Sequence, residues 1–141
     1  MTQAPADAGT FTDIDHVGIA VRDLDAAIEW YESTFNLKVA HRECVDLDGV
    51  EEALIRLGDS WIQLLTPTRP DSPVARWLDR RGEGLHHIAY RVADCALALQ
   101  AAKRAGARVV DERPRAGSRG TVVAFLHPKE AFGTLIELVQ E

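Results

Sequence analysis

The sequence predicts an α+β fold made of two tandem βαβββ modules, and two observations support this prediction. The alternating segment at residues 14–21 is repeated at residues 85–92, with His16 aligned on His87. A second alignment places Gln63 on Glu137, each inside a short apolar run near the end of its copy. Because a duplicated unit usually cannot bury its apolar face alone, we expect the paired sheets to form a half-barrel around a shared cleft.

The first module, residues 14–66, follows a small, polar segment at residues 1–10. We expect that segment to be a disordered tail, and residues 11–141 to form a single domain. After the first strand, a helix is predicted from an N-cap at Asp23 to a left-handed end at Asn36. Three strands are then predicted at residues 38–43, 50–57 and 60–66.

A connector helix at residues 72–82 separates the modules, with Ser72 as N-cap, Pro73 in the first turn and Gly82 at the end. The second module, residues 85–141, repeats the order of the first. Its first strand leads to a helix that begins at Asp94 and ends at Gly106. Three strands are predicted after it, at residues 107–112, 121–127 and 135–140.

Composition excludes several classes of protein. The chain has 16 Lys and Arg against 22 Asp and Glu, a net charge of -6, which argues against a nucleic-acid surface. No apolar run approaches the roughly 20 residues that span a bilayer, and residues 1–10 do not resemble a signal peptide. We therefore expect a cytoplasmic protein without a membrane partner. Cys44 and Cys95 lie far apart and predict two reduced, partly buried thiols.

Four polar residues at equivalent points of the two copies are candidate metal ligands. A carboxylate in the run Leu-Ile-Glu-Leu-Val costs several kcal/mol unless it is paired, protonated or bound to a metal. Two imidazoles, an amide oxygen and a carboxylate suit a divalent ion such as Co, Ni, Zn, Mn or Fe. A metal-free module that binds a hydrophobic ligand remains the alternative. The candidates are His16, Gln63, His87 and Glu137.

Two other histidines have different interpretations. His86 adjoins His87, but strand alternation directs it to the opposite face, so we expect it to be structural. His41 lies near the start of a predicted strand and is assigned no role.

These residues carry a resemblance to the vicinal oxygen chelate superfamily, and within it to the methylmalonyl-CoA epimerase family. The similarity covers almost the whole chain from Ile14, and its specific segments are residues 84–89, 125–129 and 133–138. It implies that the four candidates bind a metal, with Co(II) the expected ion and no organic cofactor. It also implies a homodimer that inverts C2 of an acyl-CoA thioester by removing and returning a proton.

The resemblance further suggests two glutamates, Glu52 and Glu137, as the acid–base pair. Glu137 would then be both a ligand and a base, although binding to a metal lowers basicity. Alternation in residues 50–57 gives separate support for Glu52, because Ala53 and Ile55 form the apolar side of that strand. Glu52 then faces the cleft, where dry surroundings should raise its pKa.

The substrate contacts are expected in the second module. The flexible segment of Ser118, Arg119 and Gly120 can direct backbone N–H groups at a carboxylate or a thioester oxygen. Lys129 and nearby arginines are candidates for the CoA phosphates, although a solvated loop explains them equally well. A glyoxalase-type isomerase or a ring-cleaving dioxygenase of the same superfamily is the nearest alternative function.

Overall fold

The computed structural model describes residues 10–141, so all of the expected tail except Thr10 lies outside the described residues. It divides into two compact units, residues 16–86 and residues 87–141 together with the segment up to Asp15. The strands are β1 (Phe11–Ala20), β2 (Val39–Val45), β3 (Val50–Leu57), β4 (Ser60–Pro67), β5 (Gly84–Val92), β6 (Arg115–Ala116), β7 (Val122–Leu126) and β8 (Ile136–Gln140). The helices are α1 (Leu24–Phe35), α2 (Pro73–Arg81) and α3 (Cys95–Arg104).

The unit of residues 16–86 has the strand order β2-β3-β4-β1. β3 is antiparallel to both neighbours, whereas β1 is parallel to β4 and places Gly18 opposite Gln63. Helix α1 packs on one face of this sheet, over a cluster that includes Ala53, Ile55 and Leu64. The side of β3 beneath α1 is therefore the apolar side predicted from its alternation, and the other face carries both apolar and polar buried residues.

The helix ends agree with the capping residues read from the sequence. Asp23 accepts a hydrogen bond from the N–H of Ala26, and Asn36 has a left-handed conformation with φ 55°. Ser72, which is fully buried, accepts from the N–H of Ala75 at the start of α2. The side chains of Asp23 and Ser72 thus accept hydrogen bonds from N–H groups of the first helical turn that would otherwise lack partners.

The unit that contains residues 87–141 has the strand order β5-β8-β7-β6. β5 is parallel to β8 and places Ala89 opposite Glu137, while β7 is antiparallel to β8. Helix α3 packs over Ala124 and Leu138 through buried residues that include Cys95 and Leu99. Each unit thus has a strand, a helix and further strands in the same order, and the predicted α+β class is confirmed.

The strand predicted at residues 107–112 is wrong. Only Val109 makes an isolated bridge, to Leu126, and the paired strand that follows is the two-residue β6. The carboxylate of Asp111 accepts a hydrogen bond from the N–H of Phe125, at 2.8 Å. The N–H of Phe125 is therefore bonded to a side chain and not to the backbone of a neighbouring strand. Pro114, which has no N–H, cannot continue the ladder of backbone hydrogen bonds.

Candidate active site

Among the polar side chains buried in the unit of residues 16–86, three lie on the strands of its β2-β3-β4-β1 sheet. His16 lies on β1, Glu52 on β3 and Gln63 on β4, and none is more than 9% exposed. Glu52 is two residues before Leu54, which pairs with Gln63, so Glu52 and Gln63 share a face. This face is opposite the one covered by α1, as alternation predicted for Glu52.

The amide of Gln63 has its two ends in different environments. Its Nε2 donates a hydrogen bond to Oε2 of Glu52. Its Oε1 is buried and has no hydrogen-bond partner among residues 10–141. A buried amide oxygen without a partner costs about 1–3 kcal/mol, and a divalent cation would satisfy it.

The other unit contains a buried histidine–carboxylate pair. Nε2 of His87 lies 3.1 Å from Oε1 of Glu137, and both residues are buried. The ring of Phe125 contacts the imidazole edge to face, with ring centroids 5.5 Å apart. The predicted carboxylate in an apolar strand is therefore paired in this structure, on β8. His16, His87 and Glu137 each offer one ligand atom of a type that transition ions accept.

The strand registers confirm that the two copies place these residues at equivalent points. Gly18, two residues after His16, is opposite Gln63, and Ala89, two residues after His87, is opposite Glu137. Small residues therefore flank each polar side chain on the neighbouring strand.

Glu52 has no acidic counterpart in the second copy. Leu54 pairs with Gln63 as Phe125 pairs with Glu137, so the counterpart of Glu52 lies two residues before Phe125. That residue is Val123, which is buried in an apolar cluster with Ala89 and Val139. The two copies therefore differ at this point, with a carboxylate in the first and an apolar side chain in the second.

The remaining histidines and the cysteines are separate from these pairs. His86 packs edge to face on Trp77 of α2, at a centroid distance of 4.7 Å, which supports a structural role. Cys95 is fully buried, and desolvation, together with the nearby charges of Asp94, Glu137 and Asp111, raises the pKa of its thiol to about 11. Cys44 is exposed, so the expectation of partial burial is wrong for it.

Sequence reasoning missed a carboxylate on the face of Glu52. Glu43 on β2 pairs directly with Glu52 across the antiparallel strands, and its Oε1 lies 2.7 Å from Nε2 of His41. Period-two alternation of β2 would have found this, but only once the register with β3 was known.

The predicted substrate-binding residues lie on two short turns. Ser118, Arg119 and Gly120 form a 3₁₀ turn before β7, and Arg119 is left-handed there with φ 55°. The Arg119 guanidinium contacts Asp15 and Glu141, at 3.0 and 3.4 Å.

Lys129 lies on the turn of residues Pro128–Ala131, and its ammonium group has no ion-pair partner within residues 10–141. Of the nearby arginines, Arg115 is paired with Asp111 at 3.1 Å, whereas Arg113 is exposed. Lys129 and Arg113 are therefore the cations of this neighbourhood that remain available for phosphate groups.

Comparison with known proteins identifies the class of protein to which this fold and these residues correspond. A family model described as the glyoxalase/bleomycin resistance protein/dioxygenase superfamily matches residues 15–125. Because the match covers most of the chain, the chain belongs to this superfamily. The resemblance inferred from the histidine strands and the closing strands is confirmed.

The similar proteins are more specific. The ethylmalonyl-CoA/methylmalonyl-CoA epimerase of Cereibacter sphaeroides is 40% identical over 129 residues, covering 90% of this chain and 96% of the relative. A methylmalonyl-CoA epimerase solved in complex with methylmalonyl-CoA and NH4+ is 44% identical, with a TM-score of 0.92 over 94% of this chain and 96% of that chain. A Streptomyces coelicolor methylmalonyl-CoA epimerase variant in complex with 2-nitronate-propionyl-CoA is 43% identical, with the same TM-score and coverage.

Proposed function

We propose that this protein is an epimerase that interconverts (2R)- and (2S)-methylmalonyl-CoA by removing the C2 proton and returning it to the other face. The observation that carries the proposal is Glu52, a carboxylate only 1% exposed that accepts a hydrogen bond from Gln63. The similarity to methylmalonyl-CoA epimerases along nearly the full length of both chains supports the substrate class.

We propose that His16, Gln63, His87 and Glu137 hold a divalent cation, with Co(II) the expected ion. The residues fit such an ion, because the buried Oε1 of Gln63 lacks a hydrogen-bond donor and the set offers two imidazoles and a carboxylate. When bound, the cation would act as a Lewis acid that stabilises negative charge developing on the thioester oxygen.

Glu52 is the proposed base that takes the C2 proton. Its carboxylate is buried on β3, away from bulk water, as a base that acts on a carbon acid requires. The Gln63 amide orients it, because Nε2 donates to Oε2 and limits rotation of the carboxylate. Glu137 is the proposed partner that supplies a proton from the opposite side of the planar enolate. Its Oε1 lies 3.1 Å from Nε2 of His87.

Ser118, Arg119 and Gly120 are proposed to contact the free carboxylate of the substrate, and Lys129 a CoA phosphate. The turn is tight, with positive φ at both Arg119 (55°) and Gly120 (70°), and such a turn can direct backbone N–H groups at an anion. The exposed ammonium of Lys129 is available for a phosphate group.

Proton NMR of methylmalonyl-CoA in D2O, with Co(II) added, tests the proposal. The wild-type protein should exchange the C2 proton and interconvert the two epimers. Glu52→Gln should bind the metal but lose at least about 100-fold in exchange, the usual contribution of a general base.

Glu51→Gln is the matched control for Glu52→Gln. It removes the same charge from the next residue, but Glu51 lies on the other face and pairs with Arg42 at 2.8 Å. This variant should retain exchange. Full activity of Glu52→Gln would remove Glu52 from the mechanism. Turnover of the hemithioacetal of methylglyoxal without C2 exchange would instead indicate a glyoxalase-type isomerase.

A homodimer and a cytoplasmic location are also proposed. Among the described residues, no helix combines the length and the hydropathy needed to cross a membrane. Light scattering coupled to size-exclusion chromatography should give twice the mass of the chain, and a monomer at micromolar concentration would contradict the dimer.

A further inference from the structure

Asp15 is a fully buried carboxylate that joins two arginines of the unit containing residues 87–141. Its Oδ1 accepts from Nε and Nη2 of Arg91, each at 3.0 Å. Its Oδ2 accepts from Nη2 of Arg119, also at 3.0 Å. Desolvation acts to lower the pKa of Arg91, but the hydrogen bonds to Asp15 and the charges of Asp15, Glu141 and Asp13 together raise it, so Arg91 stays charged. One acid therefore holds two guanidinium groups at fixed positions.

Arg119 is the residue through which this network reaches the backbone of a turn. It has φ 55°, a conformation that is uncommon for residues other than glycine. The turn is also closed by Thr121, whose hydroxyl and N–H both donate to the carbonyl of Ser118, at 2.7 and 3.0 Å. Asp15 thus anchors the side chain of the residue that has the unusual backbone conformation.

A buried ion network of this kind is costly to assemble, and apolar packing of similar volume is often as stable. Its advantage is geometric, because hydrogen bonds between charged groups are short and define the positions of both partners. The bond from Nη2 of Arg119 to Oδ2 of Asp15 therefore favours the turn conformation that keeps these two side chains together.

We propose that Asp15 is a positioning residue that, through Arg119, fixes the turn of Ser118, Arg119 and Gly120 for the free carboxylate of a dicarboxylic acyl-CoA. This inference rests on the proposed function, in which that turn contacts the substrate carboxylate. It makes Asp15 a determinant of specificity for thioesters that carry a second carboxylate over simple acyl thioesters. Asp15 itself does not touch the substrate.

Calorimetric binding of two CoA thioesters to the metal-loaded protein tests this proposal. Malonyl-CoA has the free carboxylate, and propionyl-CoA lacks it. Asp15→Asn keeps the size of the side chain but removes its charge. If the turn then adopts its binding conformation only about one-tenth of the time, affinity for malonyl-CoA falls about tenfold. Affinity for propionyl-CoA should stay within about twofold, because it does not use the turn.

Asp13→Asn is the matched control. It makes the same change two residues earlier on β1, at an exposed carboxylate 3.8 Å from Arg91 that makes no contact with Arg119. Both affinities should be unchanged in this variant. Should Asp15→Asn fail to fold, Arg119→Lys supplies the second test, since it keeps the charge but not the planar fork, and the same selective loss is expected.

The outcomes separate this inference from the proposed function. Equal weakening of both ligands by Asp15→Asn, or no weakening of either, would overturn the positioning role while leaving the epimerase proposal intact. A wild-type protein that binds neither thioester and does not exchange the C2 proton would overturn both. A crystal structure of Asp15→Asn should show Arg119 released from its left-handed conformation.

Discussion

Replacing Gln63 with leucine removes a proposed metal ligand from an apolar strand without changing charge. In the metal-free protein two effects oppose each other. The hydrogen bond from Nε2 to the carboxylate of Glu52, the proposed base, is lost, and a bond to a charged acceptor contributes about 1.5–3 kcal/mol. The substitution also removes the buried Oε1, which has no hydrogen-bond partner, and this stabilises the folded protein by about 1–3 kcal/mol. We therefore expect the metal-free stability to change by no more than about 2 kcal/mol.

The metal-loaded protein should behave differently. At a free Co(II) concentration of about 100 times Kd, binding stabilises the wild-type fold by about 2.7 kcal/mol. If loss of the amide oxygen weakens binding about 100-fold, the same Co(II) concentration stabilises the variant by only about 0.4 kcal/mol. The expected signature is a loss of about 2.3 kcal/mol of cobalt-dependent stabilisation.

Urea unfolding followed by circular dichroism, with and without Co(II), measures both quantities. Gln100→Leu on the exposed side of α3 is the matched control and should retain the full cobalt effect. A Gln63→Leu protein that gains as much stability from cobalt as the wild type would refute the assignment of Gln63 as a ligand.

Three further predictions concern stability. The thiol of Cys95 has a pKa of about 11 against an ordinary 9.0, so the folded state holds its proton more tightly than the unfolded state does. The stabilisation that results is complete below pH 9 and is lost as the pH rises toward 11. The free energy of unfolding should therefore fall by about 1.3 kcal/mol between pH 8 and pH 10. Cys95→Ala should abolish this slope and Cys44→Ala should keep it, and identical slopes in all three proteins would contradict the pKa. Asp111→Ala should lower the free energy of unfolding by about 2 kcal/mol, because the N–H of Phe125 loses its acceptor; a change below about 0.5 kcal/mol in urea would show that the bond is dispensable. Ser72→Ala should cost about 1 kcal/mol by removing the cap of α2, and an unchanged melting temperature would count against that cap.

The repeat made much of the fold and of the candidate ligands predictable. A polar residue inside an apolar strand stands out, and Gln63 and Glu137 do so at matching points of two copies. The observed registers, with Gly18 opposite Gln63 and Ala89 opposite Glu137, confirm the equivalence that the alignment implied. Alternation also placed Glu52 on the correct face, because burial of Ala53 fixes the orientation of its neighbours.

What the sequence did not predict depends on contacts between distant residues. The segment at residues 107–112 has the pattern of a strand, but Asp111 uses its side chain where backbone pairing was expected. Asp15 is a further example, because its partner Arg119 is 104 residues away. The exposure of Cys44 is likewise a matter of position, because it pairs with Glu51 near the end of β2 and lies outside the cluster packed beneath α1.

Val123 stands where the second copy would have its own counterpart of Glu52, and this makes the two halves chemically unequal. An enzyme with an acid at both of these points cannot be made from the present chain by one tolerated substitution. Val123→Glu would bury a carboxylate among Ala89 and Val139, at a cost of several kcal/mol unless a partner is also supplied.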